Sequence, residues 1–143
     1  MEVISRREFT WPAARVLTLV ADVGAPDCLS AYFCRVDVEG SGIGMVRRLY
    51  QTADGRPAVH RLESVNPDKK TICWSIHETV FIPVDTIDAE TRVEGLPDDH
   101  CRVISRWSFE QPENADLDEL YTVTEQWMLG ALTLMEHYLY ENQ

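Results

Sequence analysis

Four polar side chains in the middle of the chain have the residue types that acid–base chemistry requires. His60 lies in a strand-like stretch, and an imidazole both takes and gives a proton near neutral pH. Asp88 or Glu63 could orient that imidazole, and Arg47 could stabilise the negative charge of a developing enolate. Together these residues predict proton transfer on a carbonyl or hydroxyl compound, with His60 as the general acid and base.

The same residues also have a purely structural interpretation. His60 can be a strand histidine that is hydrogen-bonded to a neighbour or exposed at the rim of a sheet. Arg47 can pair with an acid such as Glu63 or Asp88, as strand arginines commonly do. The residue types alone leave both interpretations open.

No motif for a metal or a phosphate group is present. The segment GSGIG at 40–44 lacks the lysine of a phosphate-binding loop and does not join a strand to a helix, so we interpret it as a tight turn or bulge. Four cysteines, with neither CxxC spacing nor a histidine at zinc-finger distance, indicate reduced thiols. We therefore expect neither a metal nor any other cofactor. The cysteines are Cys28, Cys34, Cys73 and Cys101.

Length and charge limit the partners. The 143 residues are enough for one domain over 1–143, and the net charge of −11 excludes a basic face for nucleic acid. There is no apolar run of about 18 residues, so we expect no membrane insertion. The charged start MEVISRREFTW is unlike a signal peptide and favours a cytoplasmic protein, either a monomer or a homodimer.

The elements that must position these residues begin with a long C-terminal helix. Apolar residues recur at three- and four-residue steps between 114 and 143, which predicts one broad apolar face. Asp116 and Glu119 have the spacing of a capping box, so the helix is predicted over 116–141. Gly130 in its interior indicates either the close approach of a ligand or strand, or a tolerated small residue.

The remainder of the chain predicts a strand, two short helices and a meander of strands. A strand over 2–10 precedes a helix from Pro12 to about Gly24 and a second from Pro26 to about Phe33. Short turns, including Asp54-Gly55, then separate six strand-like runs. The fold class is α+β, with a curved antiparallel sheet of about seven strands around the long helix. Such a sheet leaves an apolar cavity beneath the helix.

Strand alternation predicts which side chains enter that cavity. Trp74 and Ile76 share one face of their strand, and Ser105 and Trp107 share the apolar face of the last strand. In the run at 58–65 the pattern is ambiguous, because Val59 and Val65 favour one face whereas Leu62 favours the other. The facing helix contributes Leu120, Thr124 and Met128 to the predicted pocket.

Several segments resemble the START-related SRPBCC superfamily, in particular its polyketide cyclase/dehydrase and lipid-transport branch. They are VEGSGIGMVRRL at 38–49, HRLESVNPDKK at 60–70 with WSI at 74–76, and CRVISRWSFEQP at 101–112. The resemblance implies a helix-grip fold with a ligand cavity between sheet and C-terminal helix. It also implies that Ala58, His60 and Leu62 face that cavity. The family that it indicates includes both enzymes and non-catalytic binders.

The chain departs from that branch at two positions expected to touch the cavity. Members often carry Trp-x-Pro where this chain has Ala31-Tyr32-Phe33, and a glutamate where it has His60, so no relative's ligand can be carried over. The candidate catalytic residues are His60, Asp88 and Arg47. The expected ligand-binding residues are Tyr32, Leu49, Gln51, Leu62, Trp74, Ile76, Thr86, Ser105, Trp107, Leu120, Thr124 and Met128.

Two functions of different class follow. The first is a cofactor-free cyclase, aromatase or dehydratase that acts on a polyketide-like substrate. The second is a non-catalytic carrier or sensor of a hydrophobic small molecule such as a lipid or quinone. An enzyme cavity should hold convergent titratable groups, whereas a carrier cavity should be almost wholly apolar. The polar residues expected at the cavity favour the enzyme. They are Arg47, His60, Asp88 and Ser105.

Overall fold

Seven strands, two α-helices and one 3-10 helix (Pro97–Asp99) are the regular elements in the part of the chain that the structure describes. The computed structural model describes residues 1–21, 31–77 and 82–142. The strands are β1 (Glu2–Phe9), β2 (Phe33–Glu39), β3 (Val46–Gln51), β4 (Pro57–Asn66), β5 (Thr71–His77), β6 (Thr86–Leu96) and β7 (His100–Ser108). The helices are α1 (Ala13–Val20) and α2 (Leu117–Glu141).

The strands form one antiparallel sheet in the order β1-β7-β6-β5-β4-β3-β2. From β2 to β7 each strand pairs with the next along the chain, because the connecting segments have too few residues for a parallel crossover. The turn after β3 contains Gly55 at a φ of 72°, a left-handed conformation that glycine adopts without strain. This sheet and α2 confirm the predicted α+β helix-grip architecture.

Helix α2 begins where its sequence predicts. The Asp116 side chain accepts hydrogen bonds from the backbone N–H groups of Asp118 and Glu119, which caps the first turn. The buried residues Leu120, Thr124, Met128, Leu132 and Leu139 then follow one face of the helix. Within the described part of the chain, no helix is long and apolar enough to cross a membrane.

The N-terminal helical region agrees with the prediction only in part. Helix α1 follows Pro12 as expected and buries Val16 and Leu19. The predicted stop at Gly24 and most of the predicted second helix lie outside the described residues. Phe33, the predicted end of that helix, instead opens β2, because it pairs with Gln51 of β3.

The buried apolar residues form two clusters, and one of them lies where α1 and the C-terminal half of α2 meet the sheet. Phe9, Val103 and Leu139 are fully buried there. Helix α1 contacts β6 and β7, and α2 contacts β1. We call the sheet surface covered by the two helices the inner face, and the opposite surface the outer face.

Strand β4 contains a bulge that explains its ambiguous sequence pattern. Leu62 pairs with Trp74, whereas Ser64 pairs with Cys73, so one extra residue lies between the two pairs. Before the bulge Ala58, His60 and Leu62 are buried, as the resemblance implies. Beyond it the alternation is shifted, and Val65 pairs with Ile72 although it is itself 47% exposed.

Candidate functional site

A cavity of about 160 Å³ lies between the inner face of the sheet and the two helices. Its walls are mainly aliphatic and aromatic, and its polar members are Arg47, His60, Thr91 and Ser105. The apolar wall comprises Ile72, Trp74, Ile76, Ala89 and Trp107 from the sheet, and Leu19, Val20, Met128, Ala131, Leu132 and Met135 from the helices.

The structure brings seven of the sequence-predicted site residues to this cavity. Strand alternation placed four of them correctly on the inner face, because β5 and β7 alternate regularly. The seven are Arg47, His60, Trp74, Ile76, Ser105, Trp107 and Met128.

Six other predicted residues lie on the covered side of the molecule but away from the cavity. Leu49, Leu62, Leu120 and Thr124 are buried in packed regions around it. Tyr32 and Gln51 line a separate depression of about 100 Å³ beside Trp127. These six residues do not line the main cavity, and their role in ligand binding stays a prediction.

The predicted positions of Asp88 and Thr86 are wrong. In β6 the side chains of Ile87 and Ala89 are buried, so alternation turns Thr86 and Asp88 to the outer face, where both are exposed. Glu63 is also on the outer face, where it accepts a hydrogen bond from Ser75. Neither carboxylate can orient His60, because the sheet itself separates them from its imidazole.

Arg47 takes the place that an acid was expected to occupy beside His60. The two residues are register partners on β3 and β4, and they are only 8% and 9% exposed. The Arg47 Nε–H donates to His60 Nδ1 at 3.3 Å, and Nη2 lies 3.2 Å from the same atom. The guanidinium carbon lies 4.0 Å from the centroid of the Trp74 ring, a cation–π contact that holds it in place.

This contact fixes the proton position on His60. A guanidinium can only donate, so Nδ1 must be the unprotonated nitrogen and Nε2 must carry the hydrogen. Burial lowers the pKa of His60 well below 6.5, with smaller contributions from the charges of Arg47 and His77. The buried Nε2 has no hydrogen-bond partner within the described residues. His60 is therefore a neutral donor with unmet hydrogen-bonding capacity.

That protonation state argues against the predicted general-base role. A base needs an unprotonated nitrogen that faces the reacting group, and the bare nitrogen of His60 is occupied by Arg47. Proton donation by an imidazolium is disfavoured, because burial and the neighbouring guanidinium lower the pKa of His60. The arrangement suits hydrogen-bond donation to an acceptor atom instead.

Solved structures match the fold over nearly the whole chain. The crystal structure of Ara h 8.0201 aligns with a TM-score of 0.80 over 99% of this chain and 98% of that chain, at 16% identity. This likeness confirms the helix-grip fold that the resemblance to the SRPBCC superfamily implies. An uncharacterized protein from Bacillus thuringiensis aligns with a TM-score of 0.77 over 96% and 98% of the two chains, at 18% identity. No family model matches the sequence, and no curated protein matches it significantly.

Within this helix-grip fold, Gly130 accommodates the side chain of Tyr32, the residue just before β2. The Tyr32 hydroxyl occupies the position where a Cβ of residue 130 would lie. The Tyr32 ring also packs edge-on against Trp127, with ring centroids 5.1 Å apart. The close approach that a helical glycine indicated is thus made by Tyr32.

Sequence reasoning placed the cavity too close to the start of α2. The cavity faces Met128, Ala131, Leu132 and Met135, which lie about one to three turns beyond Thr124. Continuing the same helical periodicity would have found these residues. Thr91 could have been found from strand alternation, because it lies two residues from each of the apolar residues Ala89 and Val93, which are both buried. Among the described residues no group of three or more acids, histidines or cysteines is arranged to hold a metal ion.

Proposed function

We propose that the protein binds a small hydrophobic molecule that carries a hydrogen-bond acceptor, as a carrier or sensor. The mostly apolar wall favours such a ligand through the hydrophobic effect. The cavity of about 160 Å³ is close in size to a protein cavity of about 150 Å³ that holds benzene. A substituted six-membered ring is therefore the size of ligand that fits.

The observation that carries this proposal is the Nε2–H of His60, which has no hydrogen-bond partner in the described part of the chain. A buried donor without a partner costs about 1–3 kcal/mol, and a ligand acceptor placed against it recovers much of that cost. Arg47 keeps the donor in the required tautomer, and both residues line the cavity. A carbonyl group, as in a ketone or a simple quinone, has the acceptor that this donor requires.

The cyclase, aromatase or dehydratase hypothesis has less support from the same geometry. Enolisation and dehydration need a base within reach of the substrate. The described residues that line the cavity include no carboxylate, and the unprotonated nitrogen of His60 already accepts from Arg47. We therefore favour binding over catalysis.

Acetophenone, an aromatic ring with one carbonyl acceptor, is a suitable first probe. We expect it to shift the amide NMR signals of cavity residues, with saturation that yields a dissociation constant. Met128→Trp should abolish these shifts, because the indole would occupy the cavity. Ala131→Leu fills less space and should weaken binding at least severalfold in a variant that is easier to fold.

Leu129→Trp is the matched control, since residue 129 is 37% exposed on the same helix. It should bind acetophenone as the unmodified protein does. Equal affinity in folded Met128→Trp and Ala131→Leu would show that the probe binds elsewhere. A complete lack of binding to the unmodified protein would overturn the proposed function.

A further inference from the structure

Three hydroxyl groups form a row across the inner face of β1, β7 and β6. Ser5 is the register partner of Ser105, and Ser105 is the register partner of Thr91. Ser105 and Thr91 line the cavity, and Ser5 is 4% exposed beside them. We call Ser5, Ser105 and Thr91 the hydroxyl row.

The hydroxyl row has unmet hydrogen-bonding capacity. The Ser5 Oγ atom is buried and has no partner within the described residues. The side chains of Thr91 and Ser105 likewise have no hydrogen bond to any residue that the structure describes. Buried hydroxyls normally find a partner. The buried Ser5 and Ser105 and the half-buried Thr91 have none among the described residues, which indicates a polar group supplied from the cavity.

The hydroxyl row and His60 lie at opposite ends of the cavity. His60 pairs with Ile76 and Thr91 pairs with Ile72, so the two are separated by four residues along β5 and by two strands across the sheet. In an ideal sheet these offsets put their Cα atoms no more than roughly 16 Å apart. A ring with a substituent at each end is the shape of ligand that would extend from one polar end toward the other.

Apolar side chains line the cavity wall between these polar ends. Trp74, Ala89 and Trp107 are consecutive register partners on β5, β6 and β7, and all three line the cavity. A ligand that matches this surface has an apolar ring in the middle and a polar group at either end. Water alone would match the ends but not the middle.

We infer that the hydroxyl row is a second polar subsite, which binds a hydroxyl or carbonyl group at the end of the ligand away from His60. The inference rests on the proposed binding function and narrows its ligand class. The class is a small ring compound with an acceptor at one end and a hydrogen-bonding group at the opposite end, as in a hydroxylated aryl ketone.

A matched pair of probes tests the subsite. Acetophenone and para-hydroxyacetophenone differ only in a hydroxyl opposite the carbonyl. In the unmodified protein the hydroxyl should strengthen binding about fivefold, the usual worth of one net hydrogen bond. In Thr91→Val/Ser105→Ala this gain, taken as the ratio of the two dissociation constants in the same variant, should disappear because the hydroxyls that bind the added group are gone.

Thr86→Val is the control, since it alters a threonine on the outer face of the same strand. It should keep the full gain. Ser105→Ala alone serves if the double variant does not fold. Equal affinity of the two ketones for the unmodified protein would overturn the subsite while leaving the proposed function intact. A gain that persists in the variants would also overturn it, and binding of neither ketone would overturn both proposals.

Discussion

His60 and His77 lie on neighbouring strands and on opposite faces of one sheet. Comparing the hydrogen-bond partners of their ring nitrogens shows which of the two is available to a ligand. On the outer face, His77 Nε2 lies 3.1 Å from the Ser75 hydroxyl, which itself donates to Glu63 at 2.7 Å. His77 Nδ1 lies 3.4 Å from the Thr86 hydroxyl. Both of its ring nitrogens therefore have a protein neighbour.

On the inner face, His60 has a protein partner at only one nitrogen within the described residues. Two histidines in similar strand contexts thus differ in what remains for a ligand. Both residues are histidines, but only His60 has a ring nitrogen without a hydrogen-bond partner among the described residues. A binding site is better recognised by such an unpartnered buried group than by the presence of a titratable side chain.

The largest effect that should distinguish the two histidines is the pH dependence of stability. The pKa of folded His60 lies well below 6.5, so the unfolded state binds more protons as the pH falls below that value. The free energy of unfolding should then decrease with acidification, by up to about 1.4 kcal/mol per pH unit from this one group. Urea denaturation between about pH 7 and pH 5 measures the slope.

His60→Phe removes this titration and should flatten the slope relative to the unmodified protein. Acidic groups elsewhere contribute equally to both proteins and cancel in the difference. The same slope in both would show that His60 is not held neutral by its surroundings.

The next effect concerns ligand affinity. His60→Phe should weaken acetophenone binding about tenfold, because it deletes one hydrogen bond, and should leave ethylbenzene binding nearly unchanged. His60→Gln retains an N–H donor of similar reach and should keep most of the affinity. NMR titrations give each dissociation constant.

The outer-face counterpart, His77→Phe, should affect neither probe. A loss of affinity for both probes in His60→Phe would indicate a change of cavity shape and would contradict the hydrogen-bonding role of His60.

A smaller effect is expected from the hydrogen-bond chain on the outer face. Ser75 is 6% exposed, and Ser75→Ala removes its bond to Glu63 and its contact with His77. Loss of these should lower the free energy of unfolding by about 1 kcal/mol. Chemical denaturation gives this value, and acetophenone affinity should stay unchanged. Altered affinity would imply that the two faces are coupled.

The smallest predicted effect is that of Glu63→Gln. The Glu63 side chain is 43% exposed, and a glutamine oxygen can still accept the Ser75 hydrogen bond. The stability change should be below about 0.5 kcal/mol, since exposed charges contribute little. A change above that of Ser75→Ala would mean that the carboxylate has a role beyond this chain of bonds.

Local sequence patterns determined most of the architecture. The cap at Asp116 and the three- and four-residue spacing after it define α2, and Gly55 with its neighbours defines a hairpin turn. Regular alternation in β5 and β7 placed Trp74 and Trp107 at the cavity. These features depend on interactions between residues a few positions apart, so a single sequence displays them.

The tertiary structure alone decided the chemistry of the site. The bulge after Leu62 set the alternation of β4, and the pairing of β3 with β4 put a guanidinium beside His60. Asp88 was excluded because its strand turned it to the other face of the sheet. The tautomer and lowered pKa of His60 follow from strand register and burial. Both depend on contacts between residues distant in sequence, which no local pattern records.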